Sequence, residues 1–523
     1  MKCSFWLPYV LLLCLCSSLW GQAPPPLELP EVVIVGREES TIPGGAKQLP
    51  QPPAPLRREL LDTLNPLMKH SLARFFPLPD FPSRLPLSPS VDRFVEGLFG
   101  QYATVHVTGL SRWTGSRSDL TLLASLHATE GHVRNADSIG LGVTFQARLP
   151  TPDNVWFLQR GRANLDAETW WRGYHLFGDS GAPRRTCFGV DFQGALGARL
   201  EGLKYATSVG FALFALRHEQ RSDVEQHLRV QLQALYPDST IPAVGIASRL
   251  DARFWGEQSQ VVVGVLFPAI WGRASWLLRG ALGLQLARLY NGTGYALPAA
   301  EAELQYRLSP QWRAILAGWS RLDEKGWQEL WRANPYVASG TVPVPPHERF
   351  ALRGSVQWAA GEKWSLEAAF QMRSIARWWS WSRTNAGFAL EVPSVTLWEA
   401  SAEALYRFRE GFDAGAELRL GRARSAGKPV AYYVPVRLEV FAQQQWNKRL
   451  RSRLGTEIVG SRYVGPQEEL PGYGRLWMEV SYEFMPRLQM MLLLDNVLNS
   501  DIRYWSGYQE RGIFVAATVR WVW

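Results

Sequence analysis

The sequence is poor in cysteine and has no long apolar stretches beyond its start. Only 4 cysteines occur among 523 residues, and Cys3, Cys14 and Cys16 fall within the first two dozen positions. The fourth, Cys187, would then have no partner for a disulfide. No later apolar stretch reaches the roughly 18 residues that a membrane-spanning helix requires. These absences exclude a disulfide-rich scaffold and a bundle of membrane-spanning helices.

Motifs of catalysis and of nucleic-acid binding are also lacking. The chain has no phosphate-binding loop, dinucleotide fingerprint, nucleophile elbow or paired-cysteine metal motif. The net charge of +9 comes from dispersed residues rather than from a dense basic block. His127 and His132 would lie on opposite faces of a strand, which argues against a shared metal ion. We therefore predict no enzymatic activity, no cofactor, no metal and no nucleic-acid partner.

The N-terminus has the pattern of an export signal. A lysine at the second position is followed by an apolar core, Leu7–Leu19, and by the small-residue cleavage site Gly21–Ala23. We predict that residues 1–23 are a signal peptide that is removed. The alternative is a lipoprotein acylated on Cys14 or Cys16, but neither cysteine follows the small residues that such processing prefers.

Residues 24–91 form a second, proline-rich region. Proline at this density is incompatible with a continuous sheet or a long helix. The region contains a short apolar strand at 32–36 and a weakly amphipathic segment, Leu56–Met68. We interpret it as a periplasmic tether or an irregular insert.

From residue 92 to residue 523, polar and apolar residues alternate between Gly, Asn, Asp and Pro turns. Leu476–Phe484 is typical, because every second residue is apolar while Glu479 and Glu483 lie on the opposite face. Long strands of this kind, with polar faces of mixed Glu and Arg, are typical of a lipid-facing barrel around a polar interior. Trp378–Trp381 is predicted to belong to the aromatic girdle of this barrel, and the alternative is a core or carbohydrate-stacking patch.

The length of this region predicts the size of the barrel. We predict an all-β fold, a transmembrane antiparallel up-and-down β-barrel preceded by a short irregular N-terminal segment. Each strand and its turn use roughly 20 residues, which gives about 22 strands. The lumen of such a barrel is wide, so something is expected to fill or gate it.

Several segments resemble the barrel of TonB-dependent outer-membrane receptors. Near the start, two segments look like the first barrel hairpin of that family, Phe94–Tyr102 and Thr129–Asp137. Near the end lie four more, Val459–Pro466, Leu470–Tyr473, Asp495–Ser500 and Tyr504–Tyr508. The resemblance spans nearly all of 92–523. It implies a protein of the Gram-negative outer membrane, in contact with the lipid bilayer and lipopolysaccharide, that mediates uptake or passage of a small-molecule or glycan solute.

The last residues fit this resemblance. Ile513, Val515, Ala517, Val519, Trp521 and Trp523 share one face of the predicted final strand. Trp521 and Trp523 resemble the terminal signature that the barrel-assembly machinery reads. The alternative is the last strand of a soluble sheet.

The chain departs from the family before residue 92. Family members carry a much longer N-terminal plug that fills the barrel and bears the energy-coupling segment. One segment resembles the start of such a plug, and it consists of Glu31, Val32, Val33, Ile34, Val35 and Gly36. These residues are the candidate contact for a TonB-type energy-coupling protein, but the proline-rich sequence after them lacks the body of a plug.

Two hypotheses follow for residues 24–91. They either form a reduced plug inside the lumen or engage another periplasmic protein. The alternative function is accordingly a barrel that anchors or scaffolds a surface or periplasmic complex through this segment and transports nothing.

Trp331 and Tyr336 are candidate ligand contacts. We expect the loop 331–349 that carries them to face outward, where their rings can stack on a solute. The alternative is a loop packed on its own aromatic residues. Asp495, Asn496 and Asn499 are predicted to be turn residues, because their side chains bond local backbone groups.

Overall fold

The computed structural model describes residues 93–523 apart from 116–117, 152–160, 179–180, 182, 201–202, 219–220, 237–242, 274, 362, 386, 410 and 466–467. The predicted signal peptide 1–23, the proline-rich region 24–91 and the candidate plug entry Glu31–Gly36 lie outside the described residues.

The described chain is built almost entirely from β-strands. In chain order they are β1 (Arg93–Gly100), β2 (Thr104–Thr114), β3 (Asp119–Thr129), β4 (Ser138–Pro150), β5 (Arg162–His175), β6 (Arg184–Leu200), β7 (Leu203–His218), β8 (Arg221–Tyr236), β9 (Ala243–Trp255), β10 (Gln258–Arg273), β11 (Trp276–Arg288), β12 (Gly294–Arg307), β13 (Trp312–Leu322), β14 (His347–Ala360), β15 (Trp364–Ala376), β16 (Ser380–Thr384), β17 (Gly387–Glu391), β18 (Val395–Arg409), β19 (Phe412–Ser425), β20 (Lys428–Pro429), β21 (Val436–Gln445), β22 (Leu450–Val459), β23 (Arg462–Gly465), β24 (Glu468–Leu470), β25 (Tyr473–Met485), β26 (Leu488–Asp495), β27 (Arg503–Trp505), β28 (Tyr508–Gln509) and β29 (Phe514–Val522). A short helix, α1 (Trp327–Ala333), lies between β13 and β14.

Twenty-two of these strands form one closed antiparallel barrel, as predicted. Each long strand pairs with its neighbours in the chain, and β29 pairs with both β26 and β1, so the sheet has no free edge. The two-residue strand β20 extends this sheet beside β19. Three small hairpins stand outside the barrel wall, β16–β17, β23–β24 and β27–β28. No helix in the described part of the chain is long and apolar enough to cross a bilayer.

The alternation seen in the sequence sorts side chains between the two faces of the wall. Apolar side chains such as Phe267 and Leu282 are exposed on the outer face. Side chains at the intervening positions, such as Gln285 and Arg253, are buried on the inner face. This is the arrangement of a lipid-facing band around a polar lumen.

The barrel closes through its first and last strands. Arg520 on β29 donates from Nε to Glu96 Oε2 on β1 at 2.7 Å, and both side chains are largely buried. The Trp523 N–H donates to the Arg93 carbonyl at 3.1 Å. The two ends of the barrel chain therefore meet at one rim, which we call the terminal rim, and we call the opposite end the loop end.

An aromatic belt surrounds the outer face at the terminal rim. Its pairs come from adjacent strands, with ring centroids 5.1 Å apart for Trp271 and Trp276 and 5.8 Å apart for Trp312 and Trp358. Trp364 stacks on Tyr406 at 4.1 Å. The exposed side chains of Trp521 and Trp523 lie at the same rim. Such a belt suits a membrane–water interface, because the rings combine apolar area with a polar edge.

Two predictions about position are wrong. Trp378–Trp381 does not belong to the girdle, since it lies at the loop end, where Trp381 is buried in an aromatic cluster and Trp379 and Trp378 pack against buried clusters. The first hairpin consists of β1 and β2, whereas Thr129–Asp137 comprises the last residue of β3 and the connection after it. Aromatic residues serve both as interface anchors and as core residues, so composition did not distinguish the two positions.

Candidate functional site

The connections at the loop end fold over the mouth of the barrel and pack on one another. We call the resulting buried cluster the cap. It comprises Trp170, Tyr174, Leu176, Cys187, Phe214, Leu216, Trp327, Leu330, Trp331, Tyr336, Val337, Trp381, Phe388 and Tyr508. Its members come from the inner face of β5–β7, from α1 and the residues after it, and from the hairpins β16–β17 and β27–β28.

The contacts within the cap cross the mouth. Trp331 of α1 stacks on Trp170 of β5, with ring centroids 5.2 Å apart and an interplanar angle of 11°. Tyr336 stacks on Tyr508 of β28 at 3.6 Å. These strands and loops belong to well-separated sectors of the barrel wall, so their contacts bridge the opening and close it.

Polar contacts hold the same segments together. The Tyr174 hydroxyl donates to the Pro335 carbonyl at 2.8 Å and accepts from Trp331 Nε1 at 2.9 Å. Arg383 of β16 donates to the Gly178 carbonyl at 2.5 Å and also to the Ser506 carbonyl, which joins three connections. Buried aromatic polar groups need such partners, and here the partners lie on other segments of the cap.

A buried ionic cluster fixes α1 to the barrel wall on the side of β8 and β9. Arg253 of β9 donates from Nε to Asp251 Oδ1 at 3.0 Å and from Nη1 to Glu329 Oε2 of α1 at 2.9 Å. Its Nη1 also contacts Glu225 Oε1 of β8 at 3.3 Å. Glu225 in turn accepts the N–H of Trp327, the first residue of α1, at 2.8 Å. We call this set the Arg253 clamp.

The charge state of Glu329 supports the clamp. Burial opposes ionisation of this carboxyl group, but the Arg253 charge and the Gly326 N–H outweigh it and lower the pKa of Glu329 to about 2. Glu329 is therefore ionised at neutral pH and remains a partner of Arg253. The short helix needs this support, because seven residues are too few for a stable isolated helix.

A second side of the cap, along β5 and β6 and separated from β8 by the single strand β7, buries cations in a different setting. Arg185 of β6 is 0% exposed. It donates from Nη1 to the Pro335 carbonyl at 2.9 Å and from Nε to His218 Nδ1 at 3.4 Å. Arg172 of β5 is also buried on the inner face, and its strand partner there is Cys187. We call Arg185 and Arg172 the buried arginine pair.

Below the cap the lumen wall carries both signs of charge. Five glutamates on five successive barrel strands occupy one row, because each is the register partner of the next, namely Glu367, Glu403, Glu417, Glu439 and Glu457. Like charges placed directly opposite repel, and arginines at neighbouring positions offset this. Arg437, for example, lies 2.8 Å from Glu457 and 3.5 Å from Glu439. The wall is polar and suits a hydrated interior.

His127 and His132 lie apart in the structure. His127 faces the lumen on β3 with His106 as its cross-strand partner, whereas His132 lies in the next connection and contacts the Gln509 carbonyl at 2.7 Å. Within the described residues, no three His, Cys, Asp or Glu side chains are placed to share a metal ion.

The predicted turn residues behave as expected. Asn496 and Asn499 adopt positive φ angles of 47° and 50°. The Asn496 N–H donates to Asp495 Oδ1 at 2.8 Å, and Asn496 Oδ1 accepts from the Ser500 N–H at 3.0 Å. Their role in turn chemistry is confirmed.

Trp331 and Tyr336, the predicted ligand contacts, are brought together in the cap. Trp331 is 0% and Tyr336 is 2% exposed, so neither ring is accessible while the cap is closed. Their contact with a ligand stays a prediction. Sequence reasoning missed Arg253, Glu329 and Arg185, and the available signal was the unusual length of the connection 323–346, since long loops in compact structures are often functional.

The comparisons with known proteins agree with the fold. No family model matches the chain, and no curated protein matches it by sequence. Among solved structures, the ferric-catecholate import receptor Fiu from E. coli K12 matches with a TM-score of 0.63 at 8% identity, covering 83% of this chain and 82% of that chain. The FrpB iron transporter from Neisseria meningitidis matches with a TM-score of 0.66 at 8% identity, covering 84% and 82%.

The copper transporter OprC also matches, with a TM-score of 0.66 at 11% identity, covering 82% of this chain and 80% of that chain. Likeness at this level of identity concerns the fold. The fold that the sequence resemblance implied is confirmed: the described chain has the 22-stranded barrel of TonB-dependent receptors.

Proposed function

We propose that this protein is an outer-membrane barrel that mediates the uptake or passage of a solute, with the cap as its outer gate. The observation that carries the proposal is that loops from separate sectors of the wall close the mouth of a barrel whose lumen is polar. A hydrated lumen beneath a folded cap suits controlled passage. The structural neighbours are two transporters and an import receptor, which supports the same function.

The two ends of the barrel suggest its orientation. Outer-membrane barrels have short periplasmic turns and longer extracellular loops. Apart from 151–161, the connections at the terminal rim are short, and both ends of the barrel chain lie there, whereas the loop end carries the cap. We place the terminal rim in the periplasm, next to the proposed position of residues 24–91, and the cap at the cell surface in contact with lipopolysaccharide.

The N-terminal region gives the proposal its periplasmic partners. Residues 1–23 serve as the signal peptide, and residues 24–91 act at the periplasmic end as a reduced plug or as a docking segment. In the plug case, Glu31–Gly36 contacts a TonB-type energy-coupling protein. Trp331 and Tyr336 contact the solute once the cap opens and their rings are uncovered. Trp521 and Trp523 serve the barrel-assembly machinery, and we propose no catalytic role.

Removal of the cap loop tests the gate. Leu322 and His347 are register partners at the ends of β13 and β14, so residues 323–346 can be replaced by a two-residue Asn-Gly turn that preserves the ladder. We expect the full chain to conduct little in a planar bilayer and the shortened chain to show a clear stepwise increase in conductance.

The matched control replaces Gly256–Glu257, the turn between β9 and β10 at the same end, with Asn-Gly. This control should leave conductance at the value of the full chain. Deletion of residues 24–91, alone and with the cap-loop replacement, separates a lumenal plug from a docking segment, since only a plug limits the current. If none of these deletions raises conductance in correctly folded barrels, the passage proposal is wrong and the scaffold alternative is favoured.

A further inference from the structure

Arg185 of the buried arginine pair lacks an opposite charge in the closed cap. Arg185 has only neutral hydrogen-bond acceptors, the Pro335 carbonyl and His218, and its Nη2 has no partner among the described residues. A buried cation without a carboxylate is costly, because the lost hydration is not replaced by an opposite charge. The Arg253 clamp shows that the same cap can supply carboxylates where it needs them.

The position of Arg185 links this imbalance to opening. Pro335 follows α1 in the connection 323–346, and its carbonyl accepts from both Arg185 and Tyr174. Lifting this connection therefore breaks the contact that covers Arg185 and exposes its guanidinium on the inner face of β6. The neighbouring inward side chain on β6 is Cys187, which is 0% exposed, and its partner on β5 is Arg172.

We propose that Arg185 and Arg172 form an anion-binding site that is covered when the cap is closed and becomes available when it opens. The site takes a solute that carries a carboxylate or phosphate group, because the planar guanidinium binds both in a bidentate manner. In the open state, such a group supplies Arg185 with the opposite charge that it lacks in the closed cap. Since a ligand shifts an equilibrium by its differential affinity for the two states, anionic solutes favour opening. This inference rests on the proposed passage of a solute and names its chemical class.

Cys187 provides a reporter for the open state. It is the single cysteine in a chain that begins at residue 24, and it is buried within the cap. The experiment measures the rate at which a maleimide modifies Cys187 in the full mature chain in detergent. Inorganic phosphate or succinate is added at constant ionic strength, which choline chloride maintains.

We expect phosphate and succinate to raise the labelling rate several-fold and to saturate. Arg185→Gln should abolish this response, whereas Arg185→Lys should keep part of it because the charge remains. Arg279→Gln, a matched change in the lumen on β11, should leave the response unchanged. If phosphate and succinate leave the rate in the wild-type chain unchanged, or raise it equally in Arg185→Gln, the inference is overturned.

A second variant separates failure of this inference from failure of the proposed function. Arg253→Gln loosens the clamp on the other side of the cap and should raise labelling of Cys187 without any anion. If Arg253→Gln is labelled fast and the wild-type chain shows no response to anions, the anion site is overturned. The proposed gate is still supported in that case. If conductance stays unchanged after replacement of residues 323–346 in the chain that also lacks residues 24–91, the result counts against the gate itself.

Discussion

The two sides of the cap bury arginine in opposite ways. On the side of β8 and β9, Arg253 meets three carboxylates, and two of them also hold α1. On the side of β5 and β6, Arg185 meets a carbonyl and a histidine. Removing one partner of a buried ion pair strongly destabilises the fold, because the other charge stays buried and unpaired. A buried charge that has no opposite charge destabilises the state that buries it. We therefore expect the first side to hold α1 in place while the second side opens.

The largest effect should come from breaking the clamp. Arg253→Gln leaves the carboxylates of Glu225 and Asp251 buried without their cation, which typically costs about 3–5 kcal/mol. Near-ultraviolet circular dichroism of the stacked cap aromatics, followed through denaturant, should show the cap melting at lower denaturant concentration. Arg279→Gln is the control, because its exposed ion pair with Glu303 should contribute about 0–1 kcal/mol. Equal effects of the two changes would contradict the clamp.

The second prediction has the opposite sign. Arg185→Met removes a buried charge and keeps most of the side-chain volume, so the closed cap should be unchanged or stabilised by about 1–4 kcal/mol. The Pro335 carbonyl keeps the Tyr174 hydroxyl as a donor. The same spectroscopic melt measures the change. A destabilisation as large as that of Arg253→Gln would remove the difference between the two sides.

The smallest effect should be a dependence on pH. Burial, together with the Asp495 charge, raises the pKa of Glu510 to about 8 against the opposing charges of Arg511 and Arg475. Because the raised pKa means that the closed cap binds this proton more tightly, the stabilisation is complete below the ordinary value of 4.5 and is lost as pH rises towards 8. The cap melt should therefore move to lower denaturant over this window.

Glu510→Gln is the matched variant for this dependence, since its side chain cannot ionise. The slope between pH 4.5 and pH 8 should become shallower in Glu510→Gln. A slope identical to that of the wild-type chain would assign the pH dependence to other groups.

The wall of the barrel was predictable from the sequence, and the cap was not. Period-two alternation fixes which side chains face outward, and the length of the alternating region gave the strand number, because both are local properties of the strands. Trp378–Trp381 has no such period, and its assignment to the girdle was wrong because the same rings suit a membrane interface and a core. The Arg253 clamp joins residues from β8, β9 and α1, and no local pattern relates Arg253 to Glu329.

The seam between β1 and β29 has a consequence for biogenesis. The strand that completes the cylinder, β29, is the last barrel strand in chain order, and its partners are the penultimate barrel strand and the first. A chain that lacks β29 exposes two unpaired strand edges beside apolar outer faces. Such edges are a template for aggregation. Closure of the cylinder therefore depends on its last strand, and we expect both edges to need protection until Arg520 reaches Glu96.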